Sequence, residues 1–397
     1  MGGKTVTNAQ VIGVDMVKFV KPGQQESYRI MASKAIQGAL NDAGVAPALI
    51  EQAYGGYIYG DSTCAQHAVY DAFMTGIPVI NVNNNCSSGS TALYLARQAV
   101  ESGAIDCALA FGFEEMQPGA LGSHWDDRES PFDEFMQVLD DAGYPDAPLA
   151  LRCFGAAGKH YMDTYGATPD LFAKVAVKTR NHAILNPLAL FNRPLEVEEV
   201  LASPTLYLDY LTRLMCCPPT CGAGAAVVCS DAFAKRHGLR GGVEIIGQAM
   251  ATDTPATWED PISLVGADMT RRAARAVYDQ AGLGPDEVDV VELHDCFTTN
   301  EVITYEGLGL CEEGGATDFV NAGDNTYGGK FVVNPSGGLM SKGHPIGATG
   351  LAQCYELVNQ LRGAAEQRQV PNARIGLQHN LGLGGAAVVT MYRSSQC

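Results

Sequence analysis

One pattern of predicted elements occurs twice along the chain, and this duplication constrains the fold more than any single element does. A strand-like run at residues 11–13 recurs at residues 245–247, and a helical run at residues 34–45 recurs at residues 272–283. A proline and a short apolar strand follow each helical run. Two similar halves tend to pack around a pseudo-two-fold axis, so we expect helix N-termini near that axis to form the active site.

The first half alternates strands and helices, as is typical of a sheet covered by helices. This alternation stops between residues 118 and 213 and resumes in an apolar strand at residues 222–229. We therefore predict an α/β fold built from two duplicated halves. The predicted units are residues 1–117 completed by 214–240, an inserted domain at 118–213, and a second half at 241–397.

The composition indicates a compact protein of two or three domains that binds neither nucleic acid nor membranes. Of its 397 residues, 46% are hydrophobic and 18% are charged, and the net charge is −18. This negative charge opposes binding to nucleic acid and to anionic lipid surfaces. No apolar run reaches the ~20 residues of a membrane-spanning helix, so we expect no membrane span.

The 12 cysteines do not follow the pattern of a secreted disulfide framework. Residues 1–14 do not resemble a signal peptide, so we expect a reduced, cytoplasmic protein. Cys216, Cys217 and Cys221 lie close together, but zinc sites prefer separated Cys-x-x-Cys pairs or added histidines. We expect a packed strand and turn there, and no bound metal.

Cys86 lies where a short strand at residues 77–82 turns into a helix predicted at residues 91–100. The first N–H groups of a helix have no partner, and the helix dipole favours negative charge. We therefore expect a lowered thiol pKa, and the small residues 87–89 would let a substrate approach. These features favour a nucleophile, while a buried structural cysteine is the alternative.

Two histidines and a second cysteine occupy similar positions in the second half. His294 and Cys296 follow an apolar strand, and ligands bind at the carboxyl ends of strands in α/β sheets. His344 lies between a glycine and a proline, directly before a predicted helix. Structural roles, in the core or at a helix cap, are the alternatives for all three. Residues 382–385 are glycine-rich, so their N–H groups could form part of an oxyanion hole.

Taken together, these motifs resemble the thiolase superfamily over essentially the whole chain. Asn-x-x-Cys-x-Ser-Gly occupies residues 83–89, Gly-His-Pro occupies 343–345, and the glycine-rich loop occupies 382–385. The commoner thiolases have Asn-Glu-Ala-Phe where this chain has His-Asp-Cys-Phe at 294–297, and Cys-x-Gly where it has Gly-Leu-Gly at 382–384. In these two departures the chain resembles the sterol-carrier-protein-2 type of thiolase, in its free-standing, bacterial-like form.

The resemblance implies a five-layer αβαβα thiolase fold, with residues 118–213 as a loop domain over the active site. It also implies a homodimer formed through the N-terminal halves. The implied reaction is the cleavage of a 3-oxoacyl-CoA by CoA, releasing acetyl-CoA, or propanoyl-CoA from a 2-methyl substrate. CoA and acyl-CoA are then the substrates, and no tightly bound cofactor is expected.

The same resemblance implies a role for each motif residue. Cys86 attacks the keto carbonyl, and His344 takes its proton. His344 and His294 hold the thioester oxygen, while the N–H groups of Cys86 and Gly384 hold the keto oxygen. Cys296 protonates the leaving enolate and so compensates for the missing cysteine of the Cys-x-Gly motif. We expect these thiols and imidazoles to titrate near neutrality.

The acyl and nucleotide contacts are less constrained by the sequence. The CoA pocket is expected within residues 118–213 and near Ser336 and Gly337. Four basic residues are candidates for contacts with the CoA nucleotide, but a solvated helix face would explain their presence equally well. These candidates are Lys159, Lys174, Lys178 and Arg180.

Two other functions stay open at this point. One is a CoA-dependent retro-aldol lyase of sterol side-chain degradation, which works with a small partner protein and dispenses with the nucleophilic cysteine. The other is a non-catalytic carrier of acyl-CoA or lipid, which would have lost at least one catalytic group. This chain has Cys86, His294, Cys296 and His344, and their presence favours the thiolase reaction. Ketoacyl synthases share the fold but use a different pair of histidines.

Overall fold

The computed structural model describes residues 8–118, 125 and 127–395. We number the strands and helices of this part in chain order. The strands are β1 Ala9–Met16, β2 Gln52–Gly56, β3 Val79–Val82, β4 Cys107–Glu114, β5 Thr205–Tyr207, β6 Leu211–Thr212, β7 Gly222–Ser230, β8 Val243–Ala251, β9 Val290–Glu292, β10 Val332–Val333, β11 Ile375–Gly382 and β12 Ala386–Ser394. The helices are α1 Tyr28–Ala43, α2 Cys64–Ala72, α3 Ser88–Glu101, α4 Asp133–Asp141, α5 Leu149–Tyr165, α6 Pro169–Ile184, α7 Val197–Leu201, α8 Asp231–His237, α9 Pro261–Leu264, α10 Ala267–Ala281, α11 Thr298–Gly307, α12 Ala316–Ala322 and α13 Thr349–Arg362.

Ten of the strands form one sheet, in the order β10-β9-β11-β12-β8-β1-β7-β4-β2-β3. In the first half β3, β2 and β4 are parallel, and β7 and β1 follow antiparallel. In the second half β10, β9 and β11 are parallel, and β12 and β8 follow antiparallel. The halves join where Gln10 and Val11 of β1 pair with Glu244 and Val243 of β8.

The two halves have the same strand order, which confirms the predicted duplication. The five sheet strands of the first half are β1, β2, β3, β4 and β7 in chain order, and those of the second half are β8 to β12. Across the sheet, each half has its third strand at the edge, followed by its second, fourth, fifth and first strands. β7 follows the inserted segment and lies between β1 and β4. The third strands, β3 and β10, lead to α3 and α13, so the turns before these two helices are equivalent in the duplication.

Three apolar layers separate the helices from the half-sheets. α1 and α2 cover the outer face of the first half, where alternate residues of β4 and β7 point toward them. α3 and α13 lie between the half-sheets, packed against both by residues such as Leu93 and Leu351. α10 and α11 cover the outer face of the second half. This arrangement is the predicted five-layer αβαβα thiolase fold.

The N-termini of α3 and α13 meet at Gly89 and Gly350, where the close approach of the opposite backbone leaves no room for a side chain. A Cβ atom on Gly89 would lie 2.7 Å from the carbonyl oxygen of Gly347, and one on Gly350 would lie 2.3 Å from the backbone nitrogen of Ser90. Backbone therefore packs on backbone at this point. The expectation of helix N-termini near the pseudo-two-fold axis is met.

The inserted segment carries α4 to α7 and the β5–β6 hairpin, and it packs on the second half. Phe154 of α5 stacks on Phe297, with ring centroids 5.0 Å apart. No helix in the described residues is long and apolar enough to cross a membrane. The chain leaves the sheet after Gly56, and Tyr59 then donates its N–H to Glu114 at 2.8 Å.

Replacing Gly350 by alanine should destabilise the protein strongly, because the new methyl group would overlap the backbone of α3. We expect the free energy of unfolding to fall by about 3 kcal/mol or more. Gly363→Ala is the matched control: nothing lies within 4 Å of its Cβ, and its positive φ of 72° is the only penalty, worth about 1 kcal/mol. Urea unfolding of both variants checks the prediction, and equal losses would contradict it.

Candidate active site

Three predicted side chains converge at the junction of α3 and α13. The Sγ atom of Cys86 and one ring nitrogen each of His294 and His344 lie within 4.8 Å of one another. The two imidazole rings are perpendicular, with centroids 5.0 Å apart. The structure thus brings Cys86 beside two histidines that lie more than 200 positions further along the sequence.

A sharp turn between β3 and α3 presents Cys86. Asn85 adopts a left-handed conformation with φ of 48°, and its side-chain amide donates to the carbonyl oxygen of Leu383 at 2.9 Å. The Ser88 hydroxyl donates to the carbonyl oxygen of Asn85 at 2.7 Å and accepts from the N–H of Asn84 at 2.9 Å. These bonds fix the turn and join it to the glycine-rich loop of the second half.

The expected lowering of the Cys86 pKa is wrong. Burial of the thiol, followed by the charge of the nearby Glu114, raises the pKa to about 12. The N–H groups of Cys86 and Leu383 act in the opposite direction but are outweighed. Although the residue keeps some accessible surface, its sulfur is surrounded by protein. The resting residue is therefore a thiol, and it would need a base in order to act as a nucleophile.

The surroundings of His344 leave one ring nitrogen free to act as that base. The Thr349 hydroxyl donates to the carbonyl oxygen of Pro345 at 3.1 Å and lies 2.7 Å from Nδ1 of His344. Because the Thr349 hydroxyl donates its hydrogen to Pro345, it accepts the Nδ1–H of His344. Nε2 of His344 therefore keeps its lone pair. Thr220 fixes the backbone by accepting the N–H of His344 at 2.5 Å. Burial lowers the pKa of His344 to about 3, so the ring is neutral at pH 7.

His294 is held by different neighbours. The side-chain amide nitrogen of Asn380 lies 3.0 Å from Nδ1 of His294. Burial, and then the neighbouring His344, lower the pKa of His294 well below its usual value. The next residue, Asp295, accepts the N–H groups of Leu339 and Met340 at 2.7 and 3.4 Å. Asp295 thereby ties this motif to the segment that leads into His344.

Cys296 is buried beside the same cluster. Its pKa is raised well above the usual value by burial and then by the neighbouring thiols of Cys217 and Cys86. The N–H of Cys217 donates to the carbonyl oxygen of Cys296 at 2.9 Å. The expectation of groups titrating near neutrality is therefore wrong for both thiols and both imidazoles, because burial favours the neutral form of each.

The glycine-rich loop closes the site from the second half. A Cβ atom on Gly382 would lie 2.1 Å from the carbonyl oxygen of Asn84, so the turn that carries Cys86 leaves no room for a cysteine there. Gly384 is exposed and has φ of 95°. A Cβ on Gly384 would lie 3.0 Å from the ring of Phe132, which belongs to the inserted segment.

Three of the four basic candidates for CoA already have acidic partners. Lys159 pairs with Asp163 and Lys174 with Asp170, both on the surface. Lys178 forms a buried ion pair with Glu301, so its predicted contact with CoA needs correction.

Ser336 and Gly337 are also buried. The Ser336 hydroxyl donates to Glu292 at 2.8 Å, and Gly337 packs on Ala183. Neither residue offers a free polar group to a ligand, because the Ser336 N–H and hydroxyl donate to Glu292 and the Gly337 N–H donates to Asn334.

Arg180 is the exception, since it has no acidic partner within ion-pair distance among the described residues. Its guanidinium lies over the ring of Phe191 at 4.7 Å, and Lys21 lies over the same ring at 5.3 Å. Burial, and then Arg193, lower the pKa of Arg180 to about 10, so it stays charged at pH 7. Phe191 donates its N–H to the carbonyl oxygen of Ser341 at 3.0 Å, which places this basic cluster beside the segment that precedes His344.

The sequence analysis predicted no metal at the three neighbouring cysteines. Cys216 and Cys217 are partly buried, Cys221 is buried, and within the described chain no three-residue group with metal-binding potential includes them. The one such group is Cys86, His294 and His344.

Sequence reasoning missed the residues that hold the site in place, namely Thr220, Thr349, Asn380 and Glu114. Glu114 accepts the N–H groups of Tyr59 and Gly347 at 2.8 and 3.0 Å. None of the four lies at a spacing that predicts its partner. The only signal was that Asn380 stands beside the glycine-rich loop.

Two family models match the amino-acid sequence. Residues 10–199 match the thiolase N-terminal domain, and residues 248–393 match the thiolase C-terminal domain-like family. Together they cover more than half of the chain, and the chain therefore belongs to the thiolase family.

Two relatives of known name support this placement. Sterol carrier protein 2 of Rattus norvegicus is 53% identical over 390 residues, which cover 96% of this chain and 71% of that protein. Benzoylsuccinyl-CoA thiolase subunit BbsB of Thauera aromatica is 33% identical over 395 residues, which cover 98% of both chains. The resemblance to the sterol-carrier-protein-2 type is thus confirmed.

A solved structure shows the same fold. The Ltp2-ChsH2(DUF35) aldolase matches with a TM-score of 0.84 over 98% of both chains, at 23% sequence identity. At this identity the likeness concerns the fold alone.

The raised pKa of Cys86 predicts slow alkylation in the substrate-free protein. Since only the thiolate reacts, the rate of Cys86 modification by iodoacetamide should rise about tenfold per pH unit from pH 6 to 9, without a plateau. Mass spectrometry of the Cys86 peptide measures this rate, and Cys86→Ser identifies the peptide. A plateau near pH 7 would instead show an activated thiolate.

Proposed function

We propose that this protein is a 3-oxoacyl-CoA thiolase that acts through an acyl-enzyme on Cys86. It would transfer the acyl group to CoA and release acetyl-CoA, or propanoyl-CoA from a branched substrate. The observation that carries the proposal is the convergence of Cys86, His294 and His344 within 4.8 Å, beside the buried thiol of Cys296. The proposed substrates include 3-oxoacyl-CoA molecules with branched or sterol-derived acyl groups.

The first half-reaction uses the neutral state of the resting site. Nε2 of His344 takes the thiol proton as Cys86 forms a bond to the keto carbon, and the bond between this carbon and C2 then breaks. The electron pair leaves as the enolate of acetyl-CoA. Cys296 gives its proton to C2, a role for which a thiol that stays protonated at pH 7 is suited.

The second half-reaction restores both cysteines. CoA enters as a thiol, loses its proton to the Cys296 thiolate, and attacks the acyl group on Cys86. The Cys86 sulfur leaves and recovers the proton that His344 stored. Protons and electron pairs therefore balance over the cycle without any bound cofactor.

Fixed donors would stabilise the two oxyanions formed on this route. The N–H groups of Cys86 and Gly384 belong to two loops that Asn85 joins through its bond to Leu383, and we assign the keto oxygen to them. We assign the thioester oxygen to His294 and to His344 once it is protonated. Carbanion departure needs this help, and one such donor is worth about 100-fold or more in rate.

The inserted segment and the basic cluster would supply substrate binding. Phe132 packs over Gly384, which places an aromatic wall where the acyl group would leave the site. Arg180 and Lys21, over the ring of Phe191, form a local positive region in a chain of net charge −18, which suits the phosphates of CoA. A homodimer is part of the proposal, with β3 as an edge strand near Cys86.

The decisive experiment is CoA-dependent cleavage of a medium-chain 3-oxoacyl-CoA, followed by the loss of its magnesium-enolate absorbance. Cys86→Ala should abolish turnover, and Cys296→Ala should lower kcat at least 100-fold, since it removes an acid in the transition state. Cys217→Ala is the matched control, because it removes a buried thiol that contacts Cys296 through the backbone but has no chemical step to perform.

Each alternative has a distinct result in this assay. Activity retained by Cys296→Ala would reassign the second proton transfer. Turnover retained by Cys86→Ala would indicate a lyase, and a search for a small partner protein would follow. No cleavage by wild type across chain lengths and 2-methyl substrates would favour a carrier.

The basic cluster predicts a separate effect on CoA binding. Arg180→Gln should raise the KM for CoA about tenfold or more, since a charge-assisted contact is worth about 1.5–3 kcal/mol, while kcat changes less. Lys174→Gln is the control, because Lys174 is paired with Asp170 on the surface. Steady-state kinetics with CoA varied measure both, and an unchanged KM for Arg180→Gln would refute the assignment.

A further inference from the structure

A buried series of hydrogen bonds runs from β12 to the active site. The Tyr392 hydroxyl donates to Oε1 of Gln378 at 2.5 Å, and Nε2 of Gln378 donates to the Ser90 hydroxyl at 2.9 Å. Ser90 donates to Oδ1 of Asn380 at 2.8 Å, and Nδ2 of Asn380 faces Nδ1 of His294 at 3.0 Å. All five side chains are at most 1% exposed.

A backbone carbonyl sets the direction of this series. Nε2 of Gln378 lies 2.7 Å from the carbonyl oxygen of Gly350, which can only accept, so this amide cannot be reversed. Ser90 then receives a hydrogen from Gln378 and must donate its own. Within the described chain the acceptor for that hydrogen is Oδ1 of Asn380, which turns the Asn380 NH₂ group toward His294.

The Asn380 NH₂ group decides the tautomer of His294. Because Nδ1 faces a donor, it must be the unprotonated nitrogen, and a neutral imidazole then carries its hydrogen on Nε2. His344 has the opposite arrangement, since Thr349 takes its Nδ1–H. At Nε2, the His294 ring is thus a hydrogen-bond donor and the neighbouring His344 ring is an acceptor.

The same tautomer opposes metal binding. Cys86, His294 and His344 offer one sulfur and two nitrogens within 4.8 Å, which are ligand types that Zn²⁺ takes. A histidine that binds zinc through Nε2 must carry its hydrogen on Nδ1 and donate it to an acceptor. In this protein that hydrogen would meet the Asn380 NH₂ group at 3.0 Å.

We propose that Asn380, oriented by Ser90 and Gln378, is a positioning residue that holds His294 as the Nε2–H tautomer and thereby keeps divalent metal ions out of the Cys86–His294–His344 cluster. Its effect on turnover rests on the proposed thiolase function, but its effects on the tautomer and on metal binding do not. Asn380 touches neither the substrate nor the ion and acts through His294.

Asn380→Asp is the most informative variant, because a carboxylate has nearly the same shape but accepts where the amide donates. It should place a hydrogen on Nδ1 of His294 and create a carboxylate–histidine pair of the kind that supports zinc sites. We expect Zn²⁺ to bind Asn380→Asp at least about tenfold more tightly than wild type, the range that such outer groups are worth. Competition with a chromophoric chelator measures the affinity without any substrate.

Two further variants locate the effect. Ser90→Ala frees the Asn380 amide to reverse, so it should tighten zinc binding in the same direction and serves if Asn380→Asp does not fold. Tyr392→Phe is the control and should match wild type, because the carbonyl oxygen of Gly350 still orients Gln378. Adding Cys86→Ala to Asn380→Asp should remove the gained affinity if the ion sits in the cluster.

The tautomer itself can be observed by nitrogen-15 NMR of microcrystalline protein with labelled histidine, using His294→Gln to assign the signals. Wild type should show Nδ1 of His294 unprotonated, and Asn380→Asp should show it protonated. With a 3-oxoacyl-CoA, kcat of Asn380→Asp should fall about 100-fold, as for a lost oxyanion donor, with the KM for CoA nearly unchanged. A protonated Nδ1 in wild type, or equal zinc affinity in wild type and Asn380→Asp, would overturn the proposal, whereas inactivity of wild type with the expected tautomer would count against the proposed function alone.

Discussion

The contact between the N-termini of α3 and α13 is the constraint on which the rest of the structure depends. It exists because Gly89 and Gly350 have no side chain, so that backbone meets backbone between the half-sheets. The turns before these helices carry Cys86 and His344, and their approach follows directly from this contact. Two helix N-termini also direct unpaired N–H groups and positive dipole ends toward one point, which suits a reaction that develops negative charge.

The site so formed is neutral at rest. Burial raises the pKa values of the Cys86 and Cys296 thiols and lowers those of both imidazoles. In the proposed reaction, charge would arise only when substrate reacts, and oriented donors would stabilise it without reorganisation. This requires hydrogen positions to be set in advance, and the surroundings of the two histidines do so with hydroxyl, amide and carbonyl groups rather than with charges. The two nearby carboxylates described above, Glu114 and Asp295, are both held by backbone N–H groups.

Much of the fold and the chemically reactive residues could be predicted because their signals are local or repeated. The duplication appears as matched runs in the sequence, and Cys86 and His344 each stand directly before a predicted helix. The supports of the site could not be predicted, since Thr220, Ser90 and Asn380 find partners 124, 290 and 86 positions away. The error on the Cys86 pKa has the same origin: the helix N-terminus is visible in the sequence, but burial and the carboxylate of Glu114 are not.

The sequence by itself determined the α/β class, the duplicated halves, the thiolase motifs and the candidate catalytic groups, because each depends on residue type and short spacing. The tertiary structure decided which charged side chains are paired and which ring nitrogens of the histidines carry a hydrogen. It placed Lys178 in a buried ion pair, whereas Arg180 has no acidic partner within ion-pair distance among the residues that the structure describes. It also gave Gly382 no space for a side chain, because Asn84 from the other half occupies it. Such properties depend on contacts between residues that are distant in the sequence, and a local sequence pattern does not predict those contacts.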